Sequence, residues 1–173
     1  MAASTRLRKT ALVTHIGASV GWLGAVFCFL VLALVGVTSS DPGVVRGVYR
    51  IMEPVAWLTL VPLAFASLIT GLVQSWVTPW GLLRHYWVLF KLGITVVCTG
   101  VLLLYMRTFE AMAQAAASDA PIEAVRNPSP LLHAILALLA LVAAMVLSVF
   151  KPKGVTRRGQ RRPVGVGTVA SAP

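Results

Sequence analysis

Apolar positions fall into four long runs, at residues 11–37, 51–77, 87–106 and 131–150, each nearly free of charge. A run of about 20 residues at ~1.5 Å rise crosses the ~30 Å hydrocarbon core of a bilayer, so all four have spanning length. The pattern predicts an all-α fold, a four-helix transmembrane bundle over 11–150, with a basic arm at 1–10 and a basic tail at 151–173. Thr-Ser-Ser-Asp-Pro-Gly opens the first connection and stops span 1. Arg46 and Arg50, four apart, mark a short interfacial helix leading into span 2. Pro54 lies at the mouth of span 2, where proline is tolerated, and Pro62 predicts a kink further in. The short 78–86 connection makes spans 2 and 3 antiparallel neighbours. Span 3 continues to about Ala117, before the breaks at Pro121 and Pro128-Ser129-Pro130. The tail, rich in Lys, Arg, Gly, Pro and Val without helical periodicity, reads as disordered.

Charge adds an orientation. Nine of the 15 Lys and Arg lie in the two tails, and the five acids lie in or at the mouths of the first and third connections. The positive-inside rule then predicts N-in and C-in topology in the cytoplasmic (inner) membrane. A net charge of +10 would suggest nucleic acid in a soluble protein. Here the excess flanks the first and last spans, where orientation and anionic lipids at the basic tails account for it, so no nucleic-acid partner is expected. With 173 residues and 58% hydrophobic composition, the bundle and its tails leave no room for a soluble catalytic domain. Arg6, Arg8 and Lys9 precede an apolar run far longer than a signal peptide's core, so it reads as a retained span. Cys28 and Cys98 have no zinc spacing and read as buried small apolar residues. Trp76, Trp80 and Trp87 form one aromatic belt, and Trp57 belongs to the other.

Ionisable residues inside spans are the candidates for chemistry, because burying them unpaired is costly. His15 lies one turn inside span 1, on the face of Ser19 and Trp22, and Gly17 and Gly21 form a GxxxG pair that predicts close helix packing beside it. Arg84 and His85 stand just before span 3, and Lys91 lies one turn inside it on the face of Trp87. These residues share one depth. Two imidazoles can ligate a haem iron, and Arg84 and Lys91 can hold its propionates. The plainer reading has His15 bonding a neighbouring helix while the cations snorkel to phosphates. His133 lies at the opposite membrane face, ~20 Å from His15 along the normal. Its expected company is Arg50 and Glu53, in an outer polar cluster, or simply interfacial water. Ser67, Thr70 and Gln74 share a face of span 2 as packing glue. No carboxylate lies at mid-depth, which argues against a proton-coupled pump built from a single copy.

Three segments carry a resemblance: His15-Ile-Gly-Ala-Ser-Val-Gly-Trp22-Leu-Gly-Ala, Arg46-Gly-Val-Tyr49-Arg50, and the block from Leu68-Ile-Thr-Gly71-Leu through Arg84-His85-Tyr-Trp87-Val-Leu-Phe-Lys91-Leu. Across 11–150 the chain resembles a bacterial integral membrane family, domain of unknown function 2269. It is more distantly similar to HemJ-type protoporphyrinogen oxidases and CopD-type copper-resistance proteins, which share a first-span His followed by Trp-x-Gly and a Trp-x-x-x-Lys opening of the third span. The first of these groups is associated with haem b, which implies a haem ligand at His15. The chain departs from it in lacking a second ionisable pair in span 1 and in placing His85 before span 3. The leading expectation is a membrane protein binding haem b or another redox ligand, with His15 and His85 as iron ligands, Arg84 and Lys91 facing the carboxylates, and Trp22 and Trp87 beside them. The alternatives are a non-catalytic scaffold or accessory subunit with a membrane-protein partner, and a transporter component assembled as a homo-oligomer.

Overall fold

In a computed structural model, residues 4–77, 82, 85–152, 154 and 156 are described. They form α1 (Thr5–Thr38), α2 (Pro42–Val55), a π-helical turn (Ala56–Leu60), α3 (Val61–Val77), α4 (Tyr86–Ala117), α5 (Ile122–Val125) and α6 (Ser129–Phe150). Four helical stretches are long and apolar enough to cross a membrane: Thr5–Thr38, Pro42–Val77, Tyr86–Ala117 and Ile122–Phe150. Helix α1 packs on α3 and α6, and α4 packs on the same two, so α1 and α4 face each other across the diagonal. The starts of α1 and α4 and the ends of α3 and α6 define a basal end. The opposite, distal end gathers α2, α5 and the ends of α1 and α4.

Local chemistry sets the helix starts. The Ser4 side chain accepts from Leu7 N–H at 3.3 Å and caps α1. Asp41 caps α2 by accepting from Gly43 N–H at 2.7 Å, with Pro42 in the first turn. Helix α2 is continuous with span 2, so the expected interfacial helix is its first half. Pro62 lacks an N–H and its ring would clash with the carbonyl four residues back. The chain answers with the π turn, where Val61 N–H donates to Ala56 C=O, five residues back. The expected kink is thus realised as one extra residue in the helix.

Span 3 continues to Ala117, as its alanine-rich extension predicts. At ~1.5 Å per residue, the 34 residues of α1 and 32 of α4 measure about 51 and 48 Å, well beyond a bilayer core. Their distal ends, α2 and α5 build a cap with its own core. Val45, Tyr49, Met52 and Val125 are the largest fully buried side chains of the described residues, and Phe109, Met112 and Ala116 pack with them. Two arginines clamp this cap. Arg46 donates to the carbonyls of Ala116 (3.3 Å), Ser118 (2.8 Å) and Ala120, where α4 ends. Arg126 donates to Gly36, Val37 and Ser39 carbonyls, where α1 ends. Each guanidinium meets carbonyls that have no intrahelical donor. Tyr49 Oη donates to Asn127 C=O at 2.8 Å and accepts from Asn127 N–H at 3.1 Å.

Several expectations are corrected. Cys28 is exposed on α1 instead of buried, whereas Cys98 is half-buried and packs against the core. Gly17 has nothing within reach of an added Cβ, and Gly21 faces only Leu63, at 3.3 Å. The GxxxG pair therefore makes no backbone contact. The tail does not leave the bundle at once: Thr156 is buried, and a Cβ on Gly154 would stand 3.4 Å from the Tyr86 ring. Most of the expected disordered tail, together with Trp80 and Arg84, lies outside the described residues.

Candidate functional site

The basal half of the bundle has a polar interior. His15 and Ser19 come from α1, Ser67 and Thr70 from α3, and Lys91, Thr95 and Thr99 from α4; His15, Ser67, Thr95 and Thr99 are buried. The apolar core starts one turn further in, with Trp22, and continues to the cap through Phe29, Tyr105 and Phe109.

His15 is the hub. Its Nδ1 lies 3.1 Å from Thr70 Oγ1 and its Nε2 lies 3.1 Å from Lys91 Nζ. An ammonium only donates, so Nε2 accepts and the imidazole proton sits on Nδ1, donating to Thr70. The Thr70 hydroxyl in turn donates to Ala66 C=O at 2.6 Å. One direction therefore runs from Lys91 through the ring into the backbone of α3. Beside it, Ser19 Oγ and Ser67 Oγ pair at 3.0 Å. Gly71 lets the ring lie on α3, because a Cβ there would come within 3.2 Å of His15 Cε1. The Lys91 link ties α1 to α4 across the diagonal, where their backbones pack least. Among the described residues, no Asp or Glu lies against Lys91.

This arrangement brings His15 and Lys91 together, as their shared depth predicts. His85 is half-buried in the N-cap position of α4, its ring centroid 6.4 Å from that of Trp87. The His15 nitrogens are directed to Thr70 and Lys91 instead of a position shared with His85. An axial ligand presents a free ring nitrogen to iron. As arranged, neither nitrogen of His15 does so, and the pair does not fit bis-histidine haem ligation. The Lys91 ammonium does fit a carboxylate. Arg84, the other expected propionate partner, lies outside the described residues.

At the distal end, His133 joins residues other than those expected. Its Nδ1 lies 2.9 Å from Ser129 C=O and 3.4 Å from Ser129 Oγ, while Tyr105 stacks on the ring at 4.0 Å and donates from its hydroxyl to Ser129 Oγ at 2.9 Å. Arg50 is exposed and Glu53 half-buried on α2, and neither bonds His133. The expected outer cluster is replaced by a Tyr105–Ser129–His133 group, because the helical pairing of positions 129 and 133 satisfies the imidazole within α6. Sequence reasoning also left the partners of Thr70 and Ser67 open. The usable signal was depth: His15 and Ser19 ascend α1 while Thr70 and Ser67 descend α3, so the two polar pairs meet.

Comparison with protein families, characterised proteins and solved structures gives no match.

Proposed function

We propose that the chain is a multi-pass protein of the cytoplasmic membrane, both termini cytoplasmic, that binds an apolar ligand bearing a carboxylate at the basal end of its bundle. Lys91 carries this reading. A lysine one turn inside a span ordinarily extends toward headgroup phosphates. This one turns inward to His15 Nε2 at 3.1 Å, with no acid among the described residues to offset it. An intramembrane charge without a counter-ion is costly, and an incoming carboxylate supplies one. Lys91 is then the charged partner, and His15, fixed by Thr70, is the positioning residue that holds the ammonium in place. The likeness to haem b-associated membrane proteins makes porphyrins, with their two propionates, the first class to test.

The test is an absorption titration of the detergent-purified full chain with haem b and with metal-free protoporphyrin IX, alongside His15→Ala and His85→Ala. The carboxylate reading expects both porphyrins to bind with similar affinity and His85→Ala to change little. An iron-specific Soret shift abolished by either histidine variant would overturn it in favour of axial ligation. A second reading, an accessory subunit, draws support from the clamped distal cap, a folded platform beyond membrane thickness. A colourless protein that binds neither porphyrin and co-purifies with a defined membrane partner would favour that reading.

A further inference from the structure

Lys91, His15 and Thr70 form a chain in which each group orients the next. Lys91 Nζ lies 3.1 Å from His15 Nε2, and His15 Nδ1 lies 3.1 Å from Thr70 Oγ1, whose hydroxyl donates to Ala66 C=O at 2.6 Å. With Nδ1 committed as a donor, the lone pair of Nε2 is aimed at the lysine nitrogen. The ring is buried and lies on Gly71, where a Cβ would stand 3.2 Å from Cε1. A nucleophile within hydrogen-bond reach of a base, with that base oriented by a third group, is how proteins activate a weak nucleophile. Here the nucleophile is an amine. Lys91 is half-buried, so its nitrogen stays within reach of an entering molecule, and among the described residues it has no acid beside it and no acceptor other than His15. An uncompensated charge inside a membrane is relieved by gaining a counter-ion or by giving up its proton. Carboxylate binding uses the first route, and the second leaves a free amine beside an imidazole able to take and return protons.

We infer that Lys91 is also a nucleophile that condenses with an apolar aldehyde to form an imine, with His15 carrying the protons. The Nζ lone pair attacks the carbonyl carbon, so a C–N bond forms and the C=O π pair moves onto oxygen. Nε2 takes one proton from the nitrogen and delivers it to that oxygen, giving a carbinolamine. It then takes the second N–H proton and delivers it to the departing hydroxyl as C–O breaks and C=N forms, so the products are imine and water. No oxidant or reductant is needed. An aldehyde is neutral and reaches a site inside the hydrocarbon without the cost of carrying a charge there. The inference needs the Lys91–His15–Thr70 geometry but no carboxylate on the ligand.

Reductive trapping of the detergent-purified full chain with decanal and sodium cyanoborohydride at neutral pH, mapped by peptide mass spectrometry, tests this. Lys91 is expected to be alkylated at least about tenfold faster than the exposed Lys9 and Lys151. His15→Ala is expected to slow Lys91 at least about tenfold, and added imidazole to restore part of the rate, a rescue that a purely structural ring would not show. Thr70→Val, which releases Nδ1, is expected to slow Lys91 by a smaller factor. Equal rates at the three lysines in wild type would overturn the proposal, as would a Lys91 rate unchanged in folded His15→Ala, or in Thr70→Val where His15→Ala does not fold. Absent labelling together with weaker porphyrin binding by Lys91→Met would remove the imine and leave carboxylate binding standing. Fast, His15-dependent labelling with porphyrin affinity unchanged by Lys91→Met would do the opposite.

Discussion

Gly71 and Gly36 show how single hydrogens position the two ends of the molecule. At Gly71 a Cβ would meet one atom of the His15 ring closely, Cε1 at 3.2 Å, with Nδ1 next at 3.6 Å. At Gly36 it would meet Tyr49 Cζ at 3.0 Å and Oη at 3.1 Å, on a ring pinned by two bonds to Asn127. Gly36→Ala is therefore expected to destabilise by about 1–3 kcal/mol, the range for overpacking a core, and Gly71→Ala by less. Thermal denaturation in detergent reads both, and equal midpoints would contradict the account. Gly17→Ala, in open space, is expected to change nothing or to stabilise slightly through helix propensity. Thr70→Val removes the acceptor of His15 Nδ1–H and is expected to cost about 0.6 kcal/mol, the mean for an interhelical bond in a membrane. That cost is small because the value of Thr70 lies in fixing which His15 nitrogen faces Lys91.

Much of this was legible at the level of residues and depth. His15 and Lys91 fall together because both stand one turn inside spans that start at the same end and run parallel. Their partners were not legible, since helix rotation decides whether Thr70 or His85 faces His15, and packing sets rotation where apolar residues surround the helix. His133 shows the same limit: its membrane face is readable from topology, but its choice of Ser129 over Glu53 depends on a ring stacked by Tyr105.

Among elements, the π turn decides whether α3 presents its polar face to α1. One extra residue rotates everything beyond it by about 100° relative to an unbroken α-helix. Deleting Leu58, 77% exposed within that turn, together with Pro62→Ala, which removes the ring clash that the turn relieves, is expected to restore regular helix while Ser67 and Thr70 keep their facing. Deleting Ile69, 56% exposed in α3, turns Thr70 away while leaving Ser67 in place. The first deletion is therefore expected to retain most of the thermal midpoint and the second to lose it; the reverse order would contradict the assigned register. Pro62 made a disturbance in this helix legible. Its form was not, because a kink and a π turn relieve the same missing N–H and the same ring clash.

For the whole molecule, helices longer than a bilayer core carry an apolar cap at one end and enclose polar chemistry at the other. The apolar runs made four spanning helices legible, since lipid demands such runs. The cap was less so, because its clamps join Arg46 and Arg126 to carbonyls 70 to 90 residues away in the chain. Arg126→Ala strips the donors from the end of α1, and is expected to loosen the cap while leaving basal ligand binding intact. Faster hydrogen exchange at 36–50 with an unchanged porphyrin titration is the expected readout, and loss of binding would contradict the independence of the two ends. The most direct test of the central claim is the dissociation constant of metal-free protoporphyrin IX for wild type and for Lys91→Met, which keeps length and removes charge. A charge-assisted bond to a carboxylate contributes about 1.5–3 kcal/mol, so Lys91→Met is expected to weaken binding tenfold or more. An unchanged constant would show that Lys91 holds no carboxylate.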